Sequence, residues 1–222
     1  MYDDDYGGGP SPFRMMGLFS MLAPAMAMLI FASLWGVVIL YVVGRWRQNR
    51  AATSDPQFGM KFVLHLFRFH GYQLMLLGGF LLLFSVLYKG ESGERSPIWR
   101  MALGFVTSGG IVFGAHQLFL GKTNQAAFPL VGRMYGGLSL VVTGLIGMIG
   151  LVGGIQTLFA KGPMGNDGRM LWSLVFTYGT AWVGQGAIFA RAQLEGGSVD
   201  GDAGAPPPPA ATVPEPMRQP LA

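Results

Sequence analysis

The sequence predicts an all-α fold, a polytopic membrane helical bundle with five transmembrane helices and disordered termini. Hydrophobic residues make up 51% of the 222 positions. Charged residues make up only 12%, about half the share found in globular domains. Five uncharged runs are each long enough to cross a hydrocarbon core about 30 Å thick, which takes roughly 20 apolar residues. The 35 glycines fit helices that pack closely within a bilayer.

Lysine and arginine bound each of these runs, as expected for side chains that reach the lipid headgroups. We place the spans at about 15–43, 62–88, 100–121, 133–160 and 169–191, within a bundle that covers residues 14–193. Pro24 predicts a kink or a break in the first span. A cleaved signal peptide is the alternative for this run, but such a peptide needs a basic start and MYDDDYGGGP is acidic.

The two ends of the chain differ from the bundle in composition. Residues 1–13 form an acidic, Gly-rich extramembrane segment. Residues 194–222 lack the aromatic and branched side chains that a core requires, so we expect this Pro-rich tail to be disordered. Pro206–Pro209 favours a short polyproline II segment, which serves either as a docking motif for a partner or as solvated chain.

Charge and composition exclude several classes of function. The net charge of +4 is spread over the helix ends, so no basic patch for nucleic acid is predicted. The absence of cysteine excludes disulfides, thiolate-ligated iron–sulfur clusters and cysteine zinc sites. The spans contain no Asp or Glu, which argues against most proton pumps. No P-loop, HExxH or GxSxG motif is present, so no enzymatic activity is predicted.

The distribution of lysine and arginine predicts the orientation. With the N-terminus outside, the inner segments carry eight of these residues and the outer segments carry six. The first loop, with Arg45, Arg47 and Arg50, accounts for most of the difference, and first helices usually set the topology. We therefore predict an integral membrane protein with its N-terminus outside and its C-terminus inside. In a bacterium it would lie in the cytoplasmic membrane.

Small residues follow one face of the fourth run. Steps of three and four give a seam without a single large side chain: Gly132, Gly136, Ser139, Thr143, Gly147, Gly150 and Gly154. Such seams let helix backbones approach each other. The third run has a similar face: Thr107, Gly110, Gly114, Gln117 and Gly121. We expect helices three, four and five to pack together, with helix four touching several helices or another subunit. Alternatively, the glycines make room for a flat ligand or an ion path.

The stretch LHLFRFHGY, at the start of the second run, holds two histidines and an arginine. His65 and Arg68 lie near the membrane face, where snorkelling explains them. Counted from the loop that joins the second and third runs, His70 is roughly 27 Å away and His116 roughly 23 Å, at 1.5 Å per residue. These two histidines are therefore expected at similar depth. Two glutamines lie close to them in depth, Gln73 and Gln117.

These observations leave three hypotheses for the function. The first is a non-catalytic structural or assembly subunit, whose partners are the lipid bilayer and other membrane subunits or further copies of the chain. The second is a redox or pigment-complex subunit in which His70 and His116 hold haem, a chlorophyll-type tetrapyrrole or a quinone. The third is a small-solute transporter or channel, supported by Thr143, Thr177 and Gln185. The sequence favours a simpler explanation of the histidines, as interfacial and interhelical polar residues without a ligand.

Overall fold

Every regular element in the described part of the chain is helical, which confirms the all-α class there. The computed structural model describes residues 27, 31, 35–50, 55–90, 92–124, 129–160 and 164–200. Pro24, the N-terminal segment and the polyproline stretch lie outside these residues. The helices are α1 (Val37–Arg50), α2 (Phe58–Leu87), α3 (Ser92–Gly121), α4 (Leu130–Phe159) and α5 (Asn166–Asp200). One compact unit ends at Phe189, and the last part of α5 belongs to a second unit that starts at Ala190.

Three of the helices are long and apolar enough to cross a bilayer: Phe58–Leu87, Arg95–Gly121 and Leu130–Phe159. A helix of 30 residues is about 45 Å long, which exceeds the hydrocarbon thickness. α5 is longer, but polar side chains at Ser173, Thr177, Thr180 and Gln185 reduce its apolar character. Most of the first predicted span lies outside the described residues.

Several helix ends differ from the predicted spans. α2 begins at Phe58 rather than at 62, and α1 continues to Arg50, past the predicted end at 43. α3 begins at Ser92, so most of the segment predicted as a loop is helical. α5 runs to Asp200, into the segment predicted to be disordered.

Glycine brings the backbones of α2 and α3 into direct contact. A Cβ added at Gly71 would lie 2.6 Å from the backbone nitrogen of Phe113. A Cβ added at Gly109 would lie 2.7 Å from the carbonyl oxygen of Gly71 and 2.7 Å from the nitrogen of Met75. Because real Cβ atoms do not come so close to backbone, only glycine fits these positions.

This contact corrects the packing predicted for α3. The side of α3 that contacts α2 contains Gly109, which does not belong to the small-residue face predicted for this helix. A Cβ added at Gly110, Gly114 or Gly121 would have no contact within 4 Å in the described structure. Adjacent residues are about 100° apart on a helix. Gly109 therefore faces α2, whereas Gly110 and the rest of the predicted face point sideways or outward. Among the described residues, the extensive partner of α3 is α2.

α4 contacts three other helices. A Cβ at Gly36, just before α1, would lie 3.3 Å from Leu138. The ring of Phe62 on α2 lies edge-on to Tyr135, with centroids 5.1 Å apart. A Cβ at Gly147 would lie 3.5 Å from the backbone nitrogen of Gly179 on α5. The core between these helices is aromatic and aliphatic, with Phe58, Phe69, Phe80, Phe84, Val142, Ile146, Leu174 and Tyr178 all buried.

Candidate functional site

The rings of His70 and His116 are each held by their own helix. His70 Nδ1 donates to the carbonyl oxygen of Leu66 at 2.9 Å, and His116 Nδ1 donates to that of Val112 at 2.7 Å. A carbonyl oxygen only accepts hydrogen bonds, so Nδ1 carries a proton in both rings, and in the neutral form of each ring the lone pair lies on Nε2. Both residues are half-buried. This tautomer is one that neutral histidine uses when Nε2 ligates a metal.

The two histidines are about one helical turn apart in level. Phe67, rather than His70, is the α2 residue that stacks on His116, with ring centroids 5.0 Å apart and planes 25° apart. Gly71 in turn lies against Phe113. His70 therefore lies opposite residue 112 or 113 of α3, three to four positions before His116. At 1.5 Å per residue, the two histidines differ in level by roughly 5 Å along the helix axis.

The two glutamines lie on different sides of the α2–α3 pair. Gln73 is 1% exposed, and its Nε2 donates to the hydroxyl oxygen of Thr143 on α4 at 3.2 Å. Gln117 is exposed on α3. The four residues predicted to surround one ligand thus point toward different neighbours. In the described residues, no group of three or more His, Asp or Glu side chains is arranged to hold a metal ion.

The backbone contact between α2 and α3 limits what can lie between these helices. At Gly71, and again at Gly78, an added Cβ would meet backbone atoms of α3 at 2.6 to 2.8 Å. A gap that cannot hold one extra carbon atom cannot hold a flat macrocycle. The glycines in this stretch close the helix pair, so a tetrapyrrole at these histidines would have to bind beside the pair, not inside it.

His65 has a different environment from the one predicted. It is only 6% exposed, and its ring stacks on Tyr135 of α4 with centroids 5.9 Å apart and planes 12° apart. A Cβ at Gly132 would lie 3.4 Å from the imidazole. His65 is therefore a core residue between α2 and α4. Arg68 lies on the α3 side, with its guanidinium carbon 5.5 Å from the ring centre of Phe113.

A buried ion pair at the start of α2 was missed from the sequence. Lys61 is fully buried and Asp55 is 4% exposed, and their charged groups are 2.5 Å apart. Lys61 Nζ also donates to the carbonyl oxygen of Asn124. Gln48, buried in α1, donates to the backbone carbonyl of Asp55 at 2.6 Å. These contacts, which we call the Lys61 cluster, join the end of α1, the start of α2 and the segment after α3.

The seam predicted on α4 has neighbours on two helices. Gly132 lies against His65, and Thr143 is fully buried against Gln73. Toward α5, a Cβ at Gly150 would lie 3.1 Å from Leu174, and one at Gly154 would lie 3.3 Å from Trp172. The remaining seam glycines, Gly136 and Gly147, also lie against α5 at 3.5 Å, whereas Ser139 is half-buried.

Known proteins add nothing to this picture. No protein-family model matches the chain, and neither curated proteins nor solved structures gave a match.

Proposed function

We propose that this chain is a non-catalytic, multi-pass membrane protein that acts as a structural or assembly subunit of a larger membrane complex. The observation that carries this proposal is the outer face of α3. α3 uses one side, at Gly109, to contact α2. Small residues on its other sides remain without a close neighbour in the described structure, where added Cβ atoms at Gly104, Gly110, Gly114 and Gly121 meet nothing within 4 Å.

A face of this kind suits a partner helix better than it suits lipid. Association inside a bilayer depends on close packing, which small side chains permit, and on hydrogen bonds between helices. Thr107 and Gln117 add an exposed hydroxyl and an exposed amide to the same face. Large apolar side chains lie beside it, with Ile111 67% exposed and Leu118 73% exposed. The expected occupant is therefore a helix of another membrane subunit or of a second copy.

The proposal includes five membrane crossings with the N-terminus outside. Three helices meet the length and apolarity required. α5 and the first run complete the count if their polar residues face protein. Because the chain has no cysteine, single cysteines can be introduced without background. A cysteine at Asp3 should react with a membrane-impermeant maleimide in intact cells, and one at Gln219 only after permeabilisation. The opposite pattern would reverse the orientation, and equal accessibility would mean an even number of crossings.

The assembly function is tested by purification of the full chain from its native host in mild detergent. We expect it to elute with partner subunits or as an oligomer. Gly110→Ile should release the partner, whereas Gly184→Ile should not, since Gly184 is an equally open glycine on α5. A monomer with no co-purifying protein would refute the proposal, and so would equal behaviour of the two variants.

A tetrapyrrole or quinone subunit is the second candidate, and the histidine tautomers favour it. Both rings place their lone pair on Nε2, the atom that would coordinate iron or magnesium or accept a hydrogen bond from a quinol. The absorption spectrum of the purified protein decides the tetrapyrrole version. A Soret band that is lost in both His70→Ala and His116→Ala would support it. A colourless protein would exclude it.

A further inference from the structure

The middle of the bundle contains two buried amide oxygens without a protein donor. Gln73 Oε1 and Gln185 Oε1 are both inaccessible, and neither accepts a hydrogen bond from any group in the described part of the chain. Gln73 is itself 1% exposed. In a bilayer no bulk water can satisfy such a group from outside, so a buried carbonyl oxygen requires an internal partner.

The two glutamines lie at nearly the same level of the bundle. Gln73 is opposite Thr143, to which it donates. Gln185 is level with residues 140 to 144 of α4, because a Cβ at Gly144 would lie 2.6 Å from Trp182 and one at Gly186 would lie 3.6 Å from Leu140. The two glutamines thus differ in level by about two residues, or roughly 3 Å. Thr143 is near the centre of α4 and Gln73 near the centre of α2.

The two side chains also face the same junction of helices. On α5, Thr177 contacts Gly79 of α2, whereas Trp182 contacts Gly144 of α4. At about 100° per residue, Gln185 is roughly 80° around the helix from Thr177 and Trp182 roughly 140°. Gln185 therefore points between α2 and α4, which is where Gln73 meets Thr143. We call Gln73, Thr143 and Gln185 the amide layer.

The surroundings of the amide layer determine the charge of its ligand. The helical residues 58–87, 95–121, 130–159 and 168–194 contain no Asp or Glu. A cation held there would lack a counter-charge in a medium where charge is costly. An anion would face two carbonyl oxygens. An uncharged hydroxyl group has neither problem, because it donates to one oxygen and also accepts.

An O–H ligand also fits either orientation of the Gln73 amide. As observed, Nε2 donates to Thr143 and the oxygen needs a donor. If the amide were turned over, Thr143 would donate to the oxygen and the nitrogen would need an acceptor. Hydroxyl groups supply both functions.

We propose that the amide layer is a binding site for an uncharged hydroxyl-bearing molecule that bridges Gln73, Gln185 and Thr143 and so links α2, α4 and α5. Two sources share this chemistry. One is a buried water molecule, which characteristically makes about three hydrogen bonds to polar groups. The other is the hydroxyl head of a bilayer-soluble ligand such as a quinol. The proposal does not depend on the assembly function or on the α3 face.

Solid-state NMR on the full chain, with isotope-labelled glutamine, tests this site. The protein is placed in phosphatidylcholine nanodiscs, with or without decylubiquinol, and Gln73→Leu and Gln185→Leu identify the two amide signals. If the source is water, we expect magnetisation transfer from water protons to both amides in plain nanodiscs. If the source is lipid-soluble, transfer to both amides should appear only with decylubiquinol, from its hydroxyl protons. No transfer in either preparation would overturn the proposal.

A thermal comparison in the same nanodiscs tests whether one molecule is shared. If one molecule is shared, the loss of either amide already weakens its binding to the other amide. The decrease in melting temperature of the double variant should then be smaller than the sum of the decreases in the two single variants. Gln156→Leu is the matched control, because this exposed glutamine near the end of α4 is outside the layer. Additive shifts would refute a shared ligand. A direct bond between the amides would give coupling without magnetisation transfer, which also overturns the proposal.

Discussion

The glycine contact between α2 and α3 gives a prediction that two adjacent residues can test. An alanine at Gly109 would place its Cβ 2.7 Å from two backbone atoms of α2. Ordinary van der Waals contact begins at 3.4 Å, so the helices must separate by about 0.7 Å at this point. Neither neighbour is a flexible side chain that could turn away. We therefore expect Gly109→Ala to weaken the pair along its length.

The magnitude follows from the packing that such a separation costs. A gap of 0.5–1 Å forfeits about a quarter to a half of each contact's dispersion energy. Overpacking of well-fitted helices costs about 1–3 kcal/mol, and we expect Gly109→Ala to lie in this range. Gly110→Ala is the matched control, because it makes the same chemical change on the same helix where an added Cβ meets nothing within 4 Å. The gain in helix propensity is common to both variants and cancels in the comparison.

The measurement is equilibrium unfolding in mixed micelles with increasing SDS, followed by circular dichroism. Gly109→Ala should unfold at a lower SDS fraction than wild type, and Gly110→Ala at the same or a slightly higher fraction. Equal midpoints for the two variants would show that the backbones of α2 and α3 do not touch at Gly109, and the packing argument would then be wrong.

Two further predictions use the same unfolding assay. Asp55→Asn should destabilise the protein by about 3–5 kcal/mol, because it leaves the buried Lys61 ammonium without its counter-charge. A combined Asp55→Asn, Lys61→Met variant should recover much of that loss. A double variant no more stable than the single one would contradict this prediction. Gly144→Ala should lower the free energy of unfolding less than Gly109→Ala does. The near neighbour of Gly144 is the Trp182 ring, which is 46% exposed and able to rotate. An equal loss of stability without a shift in tryptophan emission would contradict this prediction.

Sequence patterns predicted the helical class because they depend only on length, apolarity and period. They could not predict which glycine of α3 would pack, since Gly109 and Gly110 are adjacent and each belongs to a plausible small face. The close approach at Gly109 depends on Gly71 of the partner helix, and the partner is a tertiary property.

The histidines show the same limit. Periodicity placed His65 near the membrane face, where exposure is the usual outcome, but Tyr135 of α4 covers it. Lys61 lies just before the predicted span 62–88, and its partner Asp55 is six residues earlier across a turn. Only the path of that turn determines whether the two charges meet. Counting the rise per residue from the hairpin loop predicted similar depth for His70 and His116. The contacts of Phe67 and Gly71 with α3 instead place these histidines about one helical turn apart.

The Lys61 cluster also has a consequence for the order in which the protein is made. Asp55 precedes Lys61 along the chain, so α2 can enter the bilayer with its buried cation already neutralised. The carbonyl oxygen of Asn124, the other acceptor for Lys61, is synthesised 63 residues later. At 5–20 residues per second this delay is about 3–13 s. During that interval the rest of α2 and all of α3 are synthesised, so this contact can close the α2–α3 hairpin only after both helices have been made.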